Sequence, residues 1–217
     1  TLVPPQAQLL ALDPIANPLW PWTWLTYPAF ESVPLVALLA TPALYMSLRY
    51  FERGWSPRGL LKFLAGTTLA GAAWVLVLAW VLKATTGVIT PKTHGVAATL
   101  ASLVVAFKQG VPEHVVSAVK VVPGFRVKHL PFAWLVLNSV LFVVVGSKFL
   151  PNFVLSTAGF IASWWYLRFV RIEDGIRGDR SDAFAFVAFF PDKIQPLLRP
   201  PLNAIFALFV KLRLISP

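Results

Sequence analysis

The sequence predicts an all-α polytopic membrane protein, on three observations. Of its 217 residues, 57% are hydrophobic and only 13% charged, with a mean hydropathy of +0.70, a balance that ordinary soluble domains do not reach. Several apolar runs have bilayer-spanning length. The 19 Lys and Arg flank those runs and form no dense cluster, so the net charge of +10 reads as a topology signal and an attraction to anionic headgroups. No nucleic-acid surface is expected. Cysteine is absent, which excludes a disulfide framework, a thiolate nucleophile and a Cys-based metal site.

Five segments read as spans. Residues 1–32 carry no Lys or Arg and form a lumenal segment ahead of the first. Val33–Phe51 is the first span, with Pro42 as its kink site. Leu60–Leu82 is the second and the least ambiguous. Gly95–Phe107 is the third, Pro131–Ser147 the fourth, and Asn152–Phe169 the fifth, closing in an aromatic belt from which Arg168 snorkels. Residues 33–170 make up the bundle, and residues 171–217 a tail. No Asp, Glu, Lys or Arg occupies the middle third of any span, which argues against ion-coupled transport. Asn138 is the main strongly polar residue at mid-span and is expected to hydrogen-bond to a neighbouring helix.

Charge gives the orientation. Sixteen of the 19 basic residues fall on one side of this arrangement, while Lys83, Lys92 and Lys148 fall on the other. By the positive-inside rule the first 32 residues face the lumen and the tail faces the cytosol. Arg49, Glu52 and Arg53 are expected to tie together the first cytosolic turn.

The third segment is too short. Its 13 residues cover about 20 Å as a helix, against a hydrocarbon core of about 30 Å. A helix that short must be enclosed by the others, with a polar space above one end. Gly95, Ala97, Ala98, Thr99, Ala101 and Ser102 allow close approach on every side, and the second span offers Ala65, Gly66, Ala70, Gly71, Ala72 and Ala73 in return. A compact bundle around a short central helix follows, with His94 at that helix's lumenal start and Thr93 as its N-cap.

A short central helix opening on a Gly resembles the rhomboid fold. "WTWLTYPAFE" (residues 22–31) looks like the rhomboid-type sequence ahead of a first span, with its aromatic displaced by one. "FERGWSPRGLLKF" (51–63) resembles the Glu-x-x-Trp-Gly-Ser turn, with Gly-Ser contracted to Ser56. The closer likeness is to the transmembrane protein 115 family of rhomboid-like Golgi proteins. It rests on "VVAFKQGVPE" (104–113), "GFIASWWYLRF" (159–169) and "RGDRSDAFAFVAFFPD" (177–192), and covers nearly the whole chain. That family carries one further helix upstream, so a sixth span is expected before Thr1.

In rhomboid proteases a Ser stands immediately before the Gly of the short helix, and a His on the last helix takes its proton. By the resemblance His94, before Gly95, holds the nucleophile position. Ser156, three residues before Gly159, holds the position of the base. The two residue types have traded places. Three readings stay open: a reversed dyad with Ser156 as nucleophile and His94 as base, a metal site, and a polar helix start in a wet cavity. The metal reading suffers because His114 and His129 lie in the opposite-side loop and no carboxylate is near His94. The reversed dyad would need a new oxyanion arrangement. The polar helix start is favoured.

In the tail, Phe184, Phe186, Phe189 and Phe190 either pack under the bundle at headgroup level or join Arg177, Gly178, Asp179 and Ser181 in a docking surface for protein partners. After Pro200-Pro201 an amphipathic helix is expected to lie on the cytosolic leaflet. The resemblance implies a rhomboid-like membrane scaffold without protease chemistry and without cofactor. It would reside in the Golgi membrane and act in Golgi organisation and Golgi-to-ER retrograde transport, through membrane lipids and protein partners such as tethering machinery. The alternative is an intramembrane hydrolase using Ser156 and His94; a channel or lipid carrier is disfavoured by the uncharged spans.

Overall fold

The computed structural model describes residues 9–16, 18–87, 92–116, 124–173 and 175–211. The described elements are helices α1 (Thr23–Thr26), α2 (Pro34–Gly54), α3 (Pro57–Thr86), α4 (Ala97–Gly110), α5 (Leu130–Val145), α6 (Leu150–Trp165) and α7 (Gln195–Lys211), with a two-residue antiparallel pair β1 (Ile172–Glu173) and β2 (Ile176–Arg177). The chain is an all-α bundle, as its composition requires.

The longest helix, α3, begins and ends on local chemistry. Ser56 caps α3 by accepting from the Gly59 amide at 3.1 Å. Gly87, at φ +71°, ends α3 with its amide on the Lys83 carbonyl. The 30 residues of α3 span about 45 Å. By length and composition α3 and the run Val127–Val170 each qualify as membrane-spanning, and α1 with α2, bent by 99°, would make a third span if counted as one. The 44-residue run is not one rod. Phe142 stacks on Phe153 at 5.2 Å and Trp134 bonds to Ser156, so α5 and α6 fold back on each other about the turn at Gly146–Phe149. Gly146 sits at φ +76°.

The short α4 is the central element. Its 14 residues bury Ala98, Ala101, Ser102, Leu103, Val105, Ala106 and Lys108, on all sides, whereas α5 buries only Pro131 and Asn138. Its closest neighbour is α6. A Cβ at Gly159 would overlap the Ala98 carbonyl, and Ser102 Oγ donates to the carbonyls of Ala98 (2.8 Å) and Gly159 (3.1 Å). Small residues and a satisfied hydroxyl are what bring helices together in lipid, where apolar burial gives little drive. The matching stripe on α3 is only half used: Gly71 and Ala72 face inward while Ala65, Gly66 and Ala73 are exposed.

Several expectations are corrected. Asn138 donates to the Trp134 carbonyl of its own helix, because an i−4 carbonyl is always within its reach. Thr93 is not the N-cap of α4; it pairs with Leu12 by two backbone bonds of 2.9 and 2.8 Å, and α4 starts four residues later, with Val96 at its N-cap position. Arg49 donates to Tyr45 on α2, and among the described residues Glu52 forms no ion pair with Arg49 or Arg53. α7 begins at Gln195 with Pro200 and Pro201 inside it, not after them. The described part of residues 1–32 is no loose loop: Tyr27 is fully buried and its hydroxyl donates to the Thr68 carbonyl on α3 at 3.1 Å.

Candidate functional site

At the Lys/Arg-poor end, residues 93–95 lead into α4. Gly95 adopts φ +109°, which L side chains rarely take, and its amide donates to the Tyr27 carbonyl at 2.9 Å. His94 stands immediately before this turn. Its ring meets Phe30 edge-on at 5.2 Å, and among the described residues its buried Nδ1 has no hydrogen-bond partner. Burial pushes the imidazole pKa below its ordinary value, against a smaller upward pull from Glu31.

Two residues that sequence reasoning missed complete this corner. A Cβ on Gly95 would lie 2.7 Å from Glu31 Oε2 and 3.7 Å from Asn152 Oδ1. A carboxylate is therefore near His94 after all, brought there by the bend between α1 and α2. Asn152 shows that the α6 residue facing the Gly95 turn is one helical turn earlier than Ser156. At 1.5 Å per residue Ser156 lies about 6 Å deeper along α6.

Ser156 is fully buried, and its Oγ accepts a short hydrogen bond from the Trp134 indole of α5. Among the described residues no hydrogen bond joins Ser156 to His94. A serine nucleophile needs a base within hydrogen-bond reach and access to substrate, and the described arrangement brings Ser156 neither. Gly159 serves the α4–α6 crossing described above.

The tail residues are drawn into the Lys/Arg-rich end. Phe184 and Phe189 are each 2% exposed, and Phe160 of α6 touches both Phe186 and Phe189. Lys108, at the end of α4, donates to the Ala188 carbonyl and sits 3.8 Å from the centre of the Phe189 ring. It is thus an internal anchor as well as a topology signal. Gly178, at φ +72°, abuts the Arg168 carbonyl so closely that a Cβ would overlap it. Arg177 Nε donates to the Phe169 carbonyl, the Asp179 amide to the Leu167 carbonyl, and Arg168 to the Ser181 carbonyl. The aromatic half of the expected docking surface is therefore core; Arg177, Ser181 and Asp182 remain exposed.

Comparison with known proteins bears on the family of the chain. The family described as "Eukaryotic integral membrane protein (DUF1751)" matches residues 3–217. The chain is 29% identical to Rhomboid-like protein 19 of Arabidopsis thaliana over 208 residues, which is 91% of this chain and 65% of that protein. It is also 29% identical to Transmembrane protein 115 of Homo sapiens over 201 residues, 90% of this chain and 56% of that one. The Saccharomyces cerevisiae homolog of Transmembrane protein 115 is 30% identical over 135 residues, 52% of this chain and 39% of that one. The chain thus spans about six-tenths of the length of the first two. No solved structure matches it.

Proposed function

Because the chain belongs to the DUF1751 family of eukaryotic integral membrane proteins, with rhomboid-like relatives, we propose that it is a rhomboid-like membrane scaffold that performs no proteolysis. The observation that carries this reading is the environment of Ser156: a buried hydroxyl held by Trp134, one turn away from the residue that faces the Gly95 turn. The His94–Glu31–Asn152 corner acts as a polar plug that orders the entry to α4.

The basic end faces the cytosol, following the charge distribution. Residence in the Golgi membrane, and a part in Golgi-to-ER retrograde transport, come with the likeness to the transmembrane protein 115 family. Partners such as tethering machinery would engage the exposed polar edge of the tail around Arg177, Ser181 and Asp182, the aromatic rings being occupied. Proximity labelling in cells tests this. The intact chain should recover Golgi tethering proteins, and charge reversal at Arg177 and Asp182 should reduce that recovery. Undiminished recovery from the reversed variant would sink tail docking, and recovery of no Golgi protein would sink the location.

A further inference from the structure

At the basic end, the turn between α2 and α3 faces the end of α6 across a cleft of about 550 Å³. One wall carries Trp55, Arg58 and Lys62, the other Val170 and Ile172. Trp55 is fixed by ring contacts with Phe51 at 4.9 Å and Phe63 at 5.2 Å. Arg171 lies over the same indole at 3.8 Å and bonds to Gln109 at 3.3 Å, so its charge is already engaged. The chain reaches the second wall through a π-turn, Tyr166–Val170, closed by the Arg171 amide on the Tyr166 carbonyl at 2.9 Å; such turns are frequent at functional sites. Arg58 and Lys62 stand four residues apart, on one face of α3. Both are exposed, and neither side chain has an ion pair or hydrogen bond among the described residues. No described acidic residue lines the cleft. Val170 is 41% exposed and Ile172 70%. The run that qualifies as membrane-spanning ends at Val170, with Trp164 and Trp165 as its interfacial belt. Ile172 therefore stands beyond the hydrocarbon, where exposed apolar surface marks an interaction site.

We propose that this cleft docks an acidic segment of a cytosolic protein partner, with carboxylates on Arg58 and Lys62 and an apolar side chain between Trp55 and Ile172. Charge complementarity selects the acidic segment, and the rigid indole is the kind of anchor on which interfaces concentrate their energy. Anionic headgroups would match the two cations but not an isoleucine outside the hydrocarbon. The cleft is separate from the polar edge around Arg177, Ser181 and Asp182, none of which lines it. The inference rests on the cytosolic placement of the basic end but not on the Golgi or transport role, and its test is made on isolated protein.

Selection of random phage-displayed peptides against the full chain in phosphatidylcholine nanodiscs tests it. The recovered peptides should combine Asp or Glu with a Leu, Ile or aromatic residue. The strongest of them, synthesised with a fluorescent label, is the probe for affinity. Arg58→Gln with Lys62→Gln should weaken its binding by roughly tenfold, and rising salt should weaken it in the wild type. Ile172→Asn should also weaken it while leaving the fold intact, since that side chain is largely exposed. Lys83→Gln, at the opposite end, should leave binding unchanged, as should phosphatidylserine added to the nanodiscs. Peptides without acidic enrichment, wild-type affinity in the double variant or in Ile172→Asn, or an equal loss in Lys83→Gln would each overturn the proposal. Loss of binding when phosphatidylserine is added would overturn it as well, and would assign the cleft to anionic headgroups.

Discussion

Trp134 and Ser156 form the pair on which the chemistry of this site turns. Removing the indole donor with Trp134→Phe leaves a buried hydroxyl unsatisfied, a cost of about 1–3 kcal/mol. Ser156→Ala introduced into that variant should recover part of the loss, so the two changes should be less than additive in a thermal-unfolding cycle. Full additivity would show that the bond contributes nothing. His94 gives a second prediction at this scale. Its pKa is lowered in the folded state, so below its ordinary value of about 6.5 the unfolded chain takes up a proton that the folded one binds less readily. Stability should therefore fall as pH drops through the window between the ordinary and the lowered value. His94→Asn should remove that part of the pH dependence, and Glu31→Gln, which removes the opposing charge, should deepen it. A slope unchanged by His94→Asn would contradict the assignment. His94 and Ser156 were visible in the sequence as residues out of place. Glu31 and Asn152 were not, because they reach Gly95 only through a bend and a helix separated from it by more than 50 residues.

Glycines distinguish packed faces from lipid faces at the scale of the helix. Gly159 touches the Ala98 backbone, whereas a Cβ at Gly66 meets open space. Gly159→Ala must push α4 and α6 apart and should cost about 1–3 kcal/mol. Gly66→Ala should be neutral or stabilising by up to about 1 kcal/mol, since Ala is the better helix former. Melting temperatures in one detergent check both, and equal effects would show that α4 does not pack as described. The short length and small residues of α4 announced a central helix because both are local properties. Its principal partner was not legible: α3 carries the more obvious small-residue stripe, yet half of that stripe faces outward. The true contact depends on a single glycine in α6. The tail shows the same limit, since four phenylalanines suit a docking patch and an internal cluster equally well until Lys108 and Phe160 are seen beneath them.

For the whole molecule, the charge pattern, the apolar runs and the short central helix together specified an all-α membrane bundle, and the resemblance of its motifs implied the rhomboid-like form. The membership of the chain in a eukaryotic integral membrane family accords with that. Its described core divides into two clusters: one around Phe63, Phe160 and Phe189 at the basic end, the other around Leu12, Tyr27 and Leu155 at the opposite end. The α4–α6 crossing lies where they meet. At the start of the short helix, Phe30 lies against His94 and Glu31 and Asn152 lie beside Gly95, while Ser156 is buried one turn further along α6. The central claim is that this bundle scaffolds without hydrolysing. The most direct test is a serine-directed fluorophosphonate probe applied to the full chain in liposomes. No labelling above that of Ser156→Ala is predicted, whereas labelling that disappears in Ser156→Ala and in His94→Asn would contradict the claim.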